Sequence, residues 1–121
     1  METRPLGKTD IRVSAICMGS MTWGVQNSEE DAHRQLDMAF ARGINFIDTA
    51  EMYPIPVSAT VQGRTESYIG SWLKKTGNRN RAIVATKVSG RSRDTSWLRK
   101  ATPSVRAPNL PNMLSLVQAR I

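Results

Sequence analysis

Short apolar runs alternate with longer segments of helical periodicity, and this alternation constrains the fold more than any other feature of the chain. Ala15-Ile16-Cys17-Met18 ends at Gly19, Ile44 to Asp48 centres on Phe46 and Ile47, and Ala82 to Val88 is apolar and partly β-branched. Each reads as a short strand. Between the first two, Ser28 is placed as an N-cap ahead of the acidic turn Glu29, Glu30, Asp31. Ala32, Leu36, Ala39 and Phe40 follow at helical spacing, and Gly43 falls where a helix stops. Thr65 is expected to cap a second helix, whose apolar stripe is Tyr68, Ile69, Trp72 and Leu73. Lys74 and Lys75 complement its C-terminal end, and Gly77 closes it. Asn109 to Ile121 carries Leu110, Met113, Leu114 and Val117 at the same spacing and predicts a terminal helix, with Pro111 in its first turn.

The resulting order, β-α-β-α-β-α, implies right-handed crossovers and a parallel sheet. Uninterrupted apolar strands imply burial on both faces, and Cys17 is therefore expected as a core thiol. Residues 1–13 predict a small hairpin turning between Gly7 and Asp10, Glu51 to Arg64 a loop, and Ser89 to Pro108 a second loop rich in Ser, Arg and Pro.

A length of 121 residues allows one domain. The single cysteine, Cys17, and single histidine, His33, exclude a disulfide framework and any multi-cysteine or paired-histidine metal motif, so no metal is expected. No apolar run reaches the ~20 residues of a membrane span, and no signal peptide opens the chain. The expected compartment is the cytoplasm. The net charge of +7 invites a nucleic-acid reading, but the basic residues are scattered and no aromatic residues interleave with them as a stacking platform. They read as a solvated surface, and no nucleic-acid partner is expected.

In parallel α/β folds the reactive groups lie at the C-terminal ends of strands. Asp48 ends the second apolar run, Tyr53 follows five residues later, and Lys87 is near the end of the third. A phenol is a poor donor at neutral pH, with a reference pKa of about 10. A nearby ammonium favours the phenolate, and a carboxylate can orient the ammonium. Together they make a proton-transfer site able to protonate an oxyanion forming from a carbonyl. The bland alternative is a loop cap, an amphipathic packing residue and a snorkelling lysine.

Four segments carry a family resemblance. Leu6-Gly7-Lys8-Thr9-Asp10-Ile11-Arg12-Val13-Ser14, followed by Met18-Gly19-Ser20-Met21-Thr22-Trp23-Gly24, resembles the opening of the aldo-keto reductases. The run from Gly43 to Tyr53 is similar to that family's second-strand signature. The run from Gly63 to Leu73 is similar to its second helix, and Ala85-Thr86-Lys87-Val88 to its third strand. Tyr53-Pro54-Ile55-Pro56 adds a likeness to the bacterial Tas-type branch.

The resemblance implies a (β/α)8 TIM barrel that reduces aldehydes or ketones with NADP(H). It gives Tyr53 the role of general acid, with Lys87 favouring its ionised form and Asp48 pairing with Lys87. Gly19, Ser20, Met21 and Asp48 match residues near the nicotinamide, and Trp23, Glu51 and Met52 match the substrate pocket. Residues 14–93 carry the likeness, and 94–121 diverge. A whole barrel takes about 250 residues, so this chain is expected to form an incomplete barrel of about three βα units after the hairpin. The family's histidine at the end of the fourth strand has no counterpart here, because His33 lies in the first helix. The expectations are a small carbonyl substrate, inactivity of the chain alone, and self-association or pairing through open sheet edges. The alternative is a non-catalytic fragment or partner-binding module of the same barrel.

Overall fold

The computed structural model describes residues 1–89, Trp97 and the backbone of Val117–Ala119. The chain opens with β1 (Thr3–Pro5) and β2 (Arg12–Ser14), an antiparallel pair in which Thr3 faces Ser14. The turn is tightened by Leu6 N–H donating to Ile11 O at 2.8 Å, with Gly7 at φ +60°. The hairpin is tied to the body by Asn45, whose Oδ1 accepts from Ser14 N–H at 2.8 Å.

The main sheet follows. β3 (Cys17–Gly19), β4 (Phe46–Asp48) and β5 (Ile83–Lys87) pair in parallel in that order, with Gly19, Asp48 and Ala85 in register. Helix α1 (Glu29–Ala41) joins β3 to β4, and α2 (Arg64–Thr76) joins β4 to β5 through a 3-10 turn at Asn78–Asn80. This is the alternation expected from the sequence.

The cap of α1 forms reciprocally. Ser28 Oγ accepts from Asp31 N–H, and Asp31 Oδ2 accepts from Ser28 N–H at 3.0 Å. The bond from Ser28 N–H, and then the Ser28 hydroxyl donating to Asp31 Oδ2 at 2.8 Å, hold the Asp31 carboxyl below the usual carboxylate range. Because the shift is downward, the cap's contribution is present at neutral pH and is lost as pH falls through the depressed value. Gly43 follows the helix at φ +79°, and Gly77 ends α2 at φ +68° with its N–H on Leu73 O.

The core lies between the sheet and the two helices. Ile47, at 0% exposure, belongs to one buried cluster with Leu36, Phe40, Ile69 and Trp72, and Met18 and Val84 pack against this cluster from the neighbouring strands. The Phe40 and Trp72 rings meet edge to face at 4.6 Å. Trp72 Nε1–H donates to Asp37 Oδ1 at 2.8 Å, so the buried indole keeps a partner. No helix among the described residues is long and apolar enough to cross a membrane.

The structure corrects several expectations. Thr65 is not the α2 cap; Gly63 holds that place in a left-handed conformation, and Thr65 is buried with its hydroxyl donating to Trp23 O at 2.7 Å. Cys17 is exposed rather than core, and Ile16 beside it is 52% exposed. Side chains alternate along a strand, so Met18 takes the helix-covered face and Cys17 the opposite one. Burial on both faces therefore fails at β3. His33 lies in the first helix as expected, and its Nε2, 3.1 Å from Tyr68 O and 3.0 Å from Ser71 Oγ, bridges the two helices.

Val117–Ala119, expected as part of a terminal helix, forms β6, antiparallel to β5 with Lys87 facing Val117. An open strand edge is a template for pairing, and β6 occupies the edge of β5. The remainder of the predicted Asn109–Ile121 helix, and most of the Ser89–Pro108 loop, lie outside the described residues.

Replacing Ile47 with Ala removes the centre of this core. The expected loss is about 2–5 kcal/mol of unfolding free energy, measured by urea denaturation; a loss below ~1 kcal/mol would mean that β4 is not the centre of the packing.

Candidate functional site

The register of the sheet positions the reactive groups. Asp48 sits at the end of β4 opposite Ala85, and Lys87 lies two residues beyond Ala85 on β5. The period of two places both side chains on the face away from the helices. Lys87 Nζ donates to Asp48 Oδ1 and Oδ2, each at 2.7 Å, and to Thr49 O at 2.8 Å. The Lys87 and Asp48 side chains keep 27% and 38% of their exposure, so the pair is reachable from solvent.

Tyr53 returns over this pair. Its ring centroid is 5.0 Å from Lys87 Nζ, with the ammonium over the ring, a cation–π distance. The loop that carries it is fixed by main-chain bonds: Tyr53 N–H to Ala50 O at 3.0 Å, Gly63 N–H to Tyr53 O at 2.9 Å, and Ile55 N–H to Met21 O at 3.0 Å. The three residues expected to converge are thus brought together. A phenol set over a cation that a carboxylate holds can supply a proton to a basic oxygen beside it.

The other expected site residues divide. Gly19 is exposed, and a Cβ there would meet nothing within 4 Å, so the tip of β3 is open to a flat group beside Asp48. Met21 is 48% exposed near the same tip. Ser20 is buried, and its hydroxyl donates to Asp48 O at 2.7 Å, bracing β3 against β4. Met52 and Glu51 are half-buried in the Tyr53 loop, and Glu51 Oε1 accepts from Ser89 N–H at 2.6 Å.

Trp23 departs from expectation. It is 1% exposed, belongs to the core cluster with Ala32 and Leu36, and donates from Nε1 to Gln35 Oε1 at 3.0 Å. A large ring with one donor is satisfied between the helices, so it does not line an open pocket. Trp97 is 39% exposed. A separate hollow of about 190 Å3 lies between α2 and β5, lined in part by Thr49, Ile69, Val84 and Thr86. Val84 and Thr86 alternate with Lys87, so this hollow is on the helix side of the sheet.

Nothing in the sequence pointed to the main-chain and amide contributors: Thr49 O on Lys87 Nζ, the Gln62 amide donating to Glu51 O at 2.6 Å, and the Ser89 N–H on Glu51 Oε1. A carbonyl oxygen leaves no residue-type signature, so only the register of the strands reveals it.

Cys17 shares the face of Asp48. Its thiol is pushed up, first by burial and then by the Asp48 charge, with Lys87 opposing. Cys17 is therefore expected to react completely with a chromogenic disulfide without denaturant, its rate rising with pH over a range above that of an ordinary thiol. Asp48→Asn should quicken that reaction at neutral pH and Lys87→Met slow it; equal rates in all three proteins would show that the thiol does not sense the pair.

Comparisons with known proteins point to one family. Residues 15–115 match the model of the aldo/keto reductase family. The chain is 52% identical over 94 residues to Protein tas of Escherichia coli K12, covering 78% of this chain and 27% of that protein. It is 45% identical over 89 residues to the uncharacterized oxidoreductase YrpG of Bacillus subtilis, covering 73% and 26%. Among solved structures, aldo-keto reductase AKR11C1 from Bacillus halodurans, in its holo form, superposes with a TM-score of 0.62 at 38% identity, over 76% of this chain and 27% of that one. The chain thus spans about a quarter of the length of the curated relatives it matches.

Proposed function

Because the chain belongs to the aldo/keto reductase family, we propose that it furnishes the proton-donating part of the site of an NADP(H)-dependent oxidoreductase that reduces aldehydes or ketones in the cytoplasm. The fold in this reading is one arc of a (β/α)8 barrel. The observation that carries it is Lys87 Nζ, bound to both oxygens of Asp48 and poised 5.0 Å from the Tyr53 ring centroid.

Each residue has a separate task. Tyr53 gives its proton to the carbonyl oxygen as negative charge develops there. The Lys87 ammonium stabilises the phenolate left behind, because a cation nearby favours the charged form of an acid. Asp48 and Thr49 O hold the ammonium in place. The open tip at Gly19, flanked by Met21 and Asp48, fits a nicotinamide ring: no side chain stands on the glycine, and the space where a Cβ would point is empty to 4 Å. Ser20 acts there through its brace on Asp48 O. When bound, the cofactor supplies the hydride. Met52 borders the substrate side.

The test is a chimaera in which residues 1–93 of this chain replace the matching part of the Bacillus halodurans enzyme. NADPH-dependent reduction of an aromatic aldehyde is expected, and Tyr53→Phe in the chimaera should lower kcat by roughly 10²–10⁴-fold. Turnover unchanged by that substitution would remove Tyr53 from the role.

A second reading, a non-catalytic module that binds a partner or a second copy, is favoured by exposed Cys17 on β3 and exposed Ile16 just before it, since β3 pairs on one side only among the described residues. On this reading light scattering after size exclusion finds the isolated chain as a dimer or larger species; a monomer at every concentration speaks against it.

A further inference from the structure

Pairing between the β4 and β5 segments continues past the strands. Thr49 N–H donates to Ala85 O at 2.8 Å, and Glu51 N–H donates to Lys87 O at 3.1 Å. In a regular parallel ladder the next bond would run from Ser89 N–H to the main-chain carbonyl of Glu51. That carbonyl is instead taken by the Gln62 side-chain amide, Nε2 to O at 2.6 Å. The Ser89 N–H is met by the carboxylate of the same residue, at 2.6 Å to Glu51 Oε1. The side chain has replaced its own backbone as the acceptor.

This exchange has a geometric result. A continued ladder would carry the main chain on along β5. With its carbonyl turned to Gln62, the chain leaves the sheet at Glu51, yet the carboxylate keeps that corner attached two residues beyond Lys87. Tyr53 follows two residues later and closes over the ammonium. A bond from a carboxylate to a backbone N–H is charge-assisted and among the stronger ones available to a loop.

We propose that Glu51 is a positioning residue: by accepting the Ser89 N–H in place of its own carbonyl, its carboxylate sets the Tyr53 ring over the Lys87 ammonium. This gives Glu51 a task other than lining a substrate pocket. It rests on the reading of Tyr53 as proton donor only for its functional meaning, because the arrangement itself can be measured without turnover.

The experiment is nuclear magnetic resonance on the isotopically labelled 121-residue chain. The Tyr53 ring current shifts the Lys87 εCH2 protons upfield, and Tyr53→Leu supplies the unshifted reference. In Glu51→Ala the Lys87 signal is expected to move to the reference position, while the indole signals of Trp23 and Trp72 stay in place. Glu51→Gln retains an acceptor oxygen and is expected to keep the upfield shift. Glu51→Asp keeps the charge but shortens the reach, and is expected to reduce the shift; it decides the matter if the alanine variant does not fold. An upfield shift preserved in Glu51→Ala or Glu51→Asp, or lost in a folded Glu51→Gln, overturns the proposal. Failure of Tyr53 as the donor would appear instead as unchanged turnover in the Tyr53→Phe chimaera, with the Lys87 shift intact.

Discussion

The parallel register that sets Gly19, Asp48 and Ala85 side by side governs the rest of the molecule. It decides which side chains face the helices and which face away. Met18, Ile47 and Val84 meet α1 and α2 and make the core. Asp48 and Lys87 fall on the other face, separated by the offset that lets an ammonium reach both carboxylate oxygens. A slip of one residue would exchange the two faces. The charged pair would then be driven against Phe40 and Trp72, and the apolar row into water. Stability and chemistry therefore depend on one alignment.

The two faces are built to different standards. The helix side carries the core, with two indoles buried and each supplied with an acceptor, Gln35 for Trp23 and Asp37 for Trp72. The other side carries the reactive residues at partial exposure. This division matches a general feature of α/β architecture, in which one layer holds the structure while strand ends and the loops above them do the chemistry.

What was legible in the sequence follows the range of the interactions concerned. Ser28, Gly43 and Gly77 mark helix ends through contacts a few residues away, and all three stand where the local pattern put them. Asp48 and Lys87 were readable because strand ends and reactive residue types coincided. Thr65, Trp23 and Cys17 were misplaced for one shared reason: each is decided by a distant partner or by a missing one. Thr65 looks like a cap until its hydroxyl finds Trp23 O across the fold. Cys17 looks like core until the alternation along β3 turns it from the helices. Val117 to Ala119 has the apolar spacing of a helix but pairs with β5, where an edge overrides local preference. The exchange of acceptors at Glu51 was invisible because it depends on a main-chain carbonyl being taken by Gln62.

The antiparallel strand β6 has one more implication. It lies along the margin of β5, opposite in direction to the three strands before it. A parallel neighbour arriving at that margin would first have to displace it, giving up the ladder already made from Ala85 to Lys87. Among the described residues, the margin of a parallel strand left to a newcomer is that of β3, so a further parallel strand would extend the sheet from its first strand in chain order.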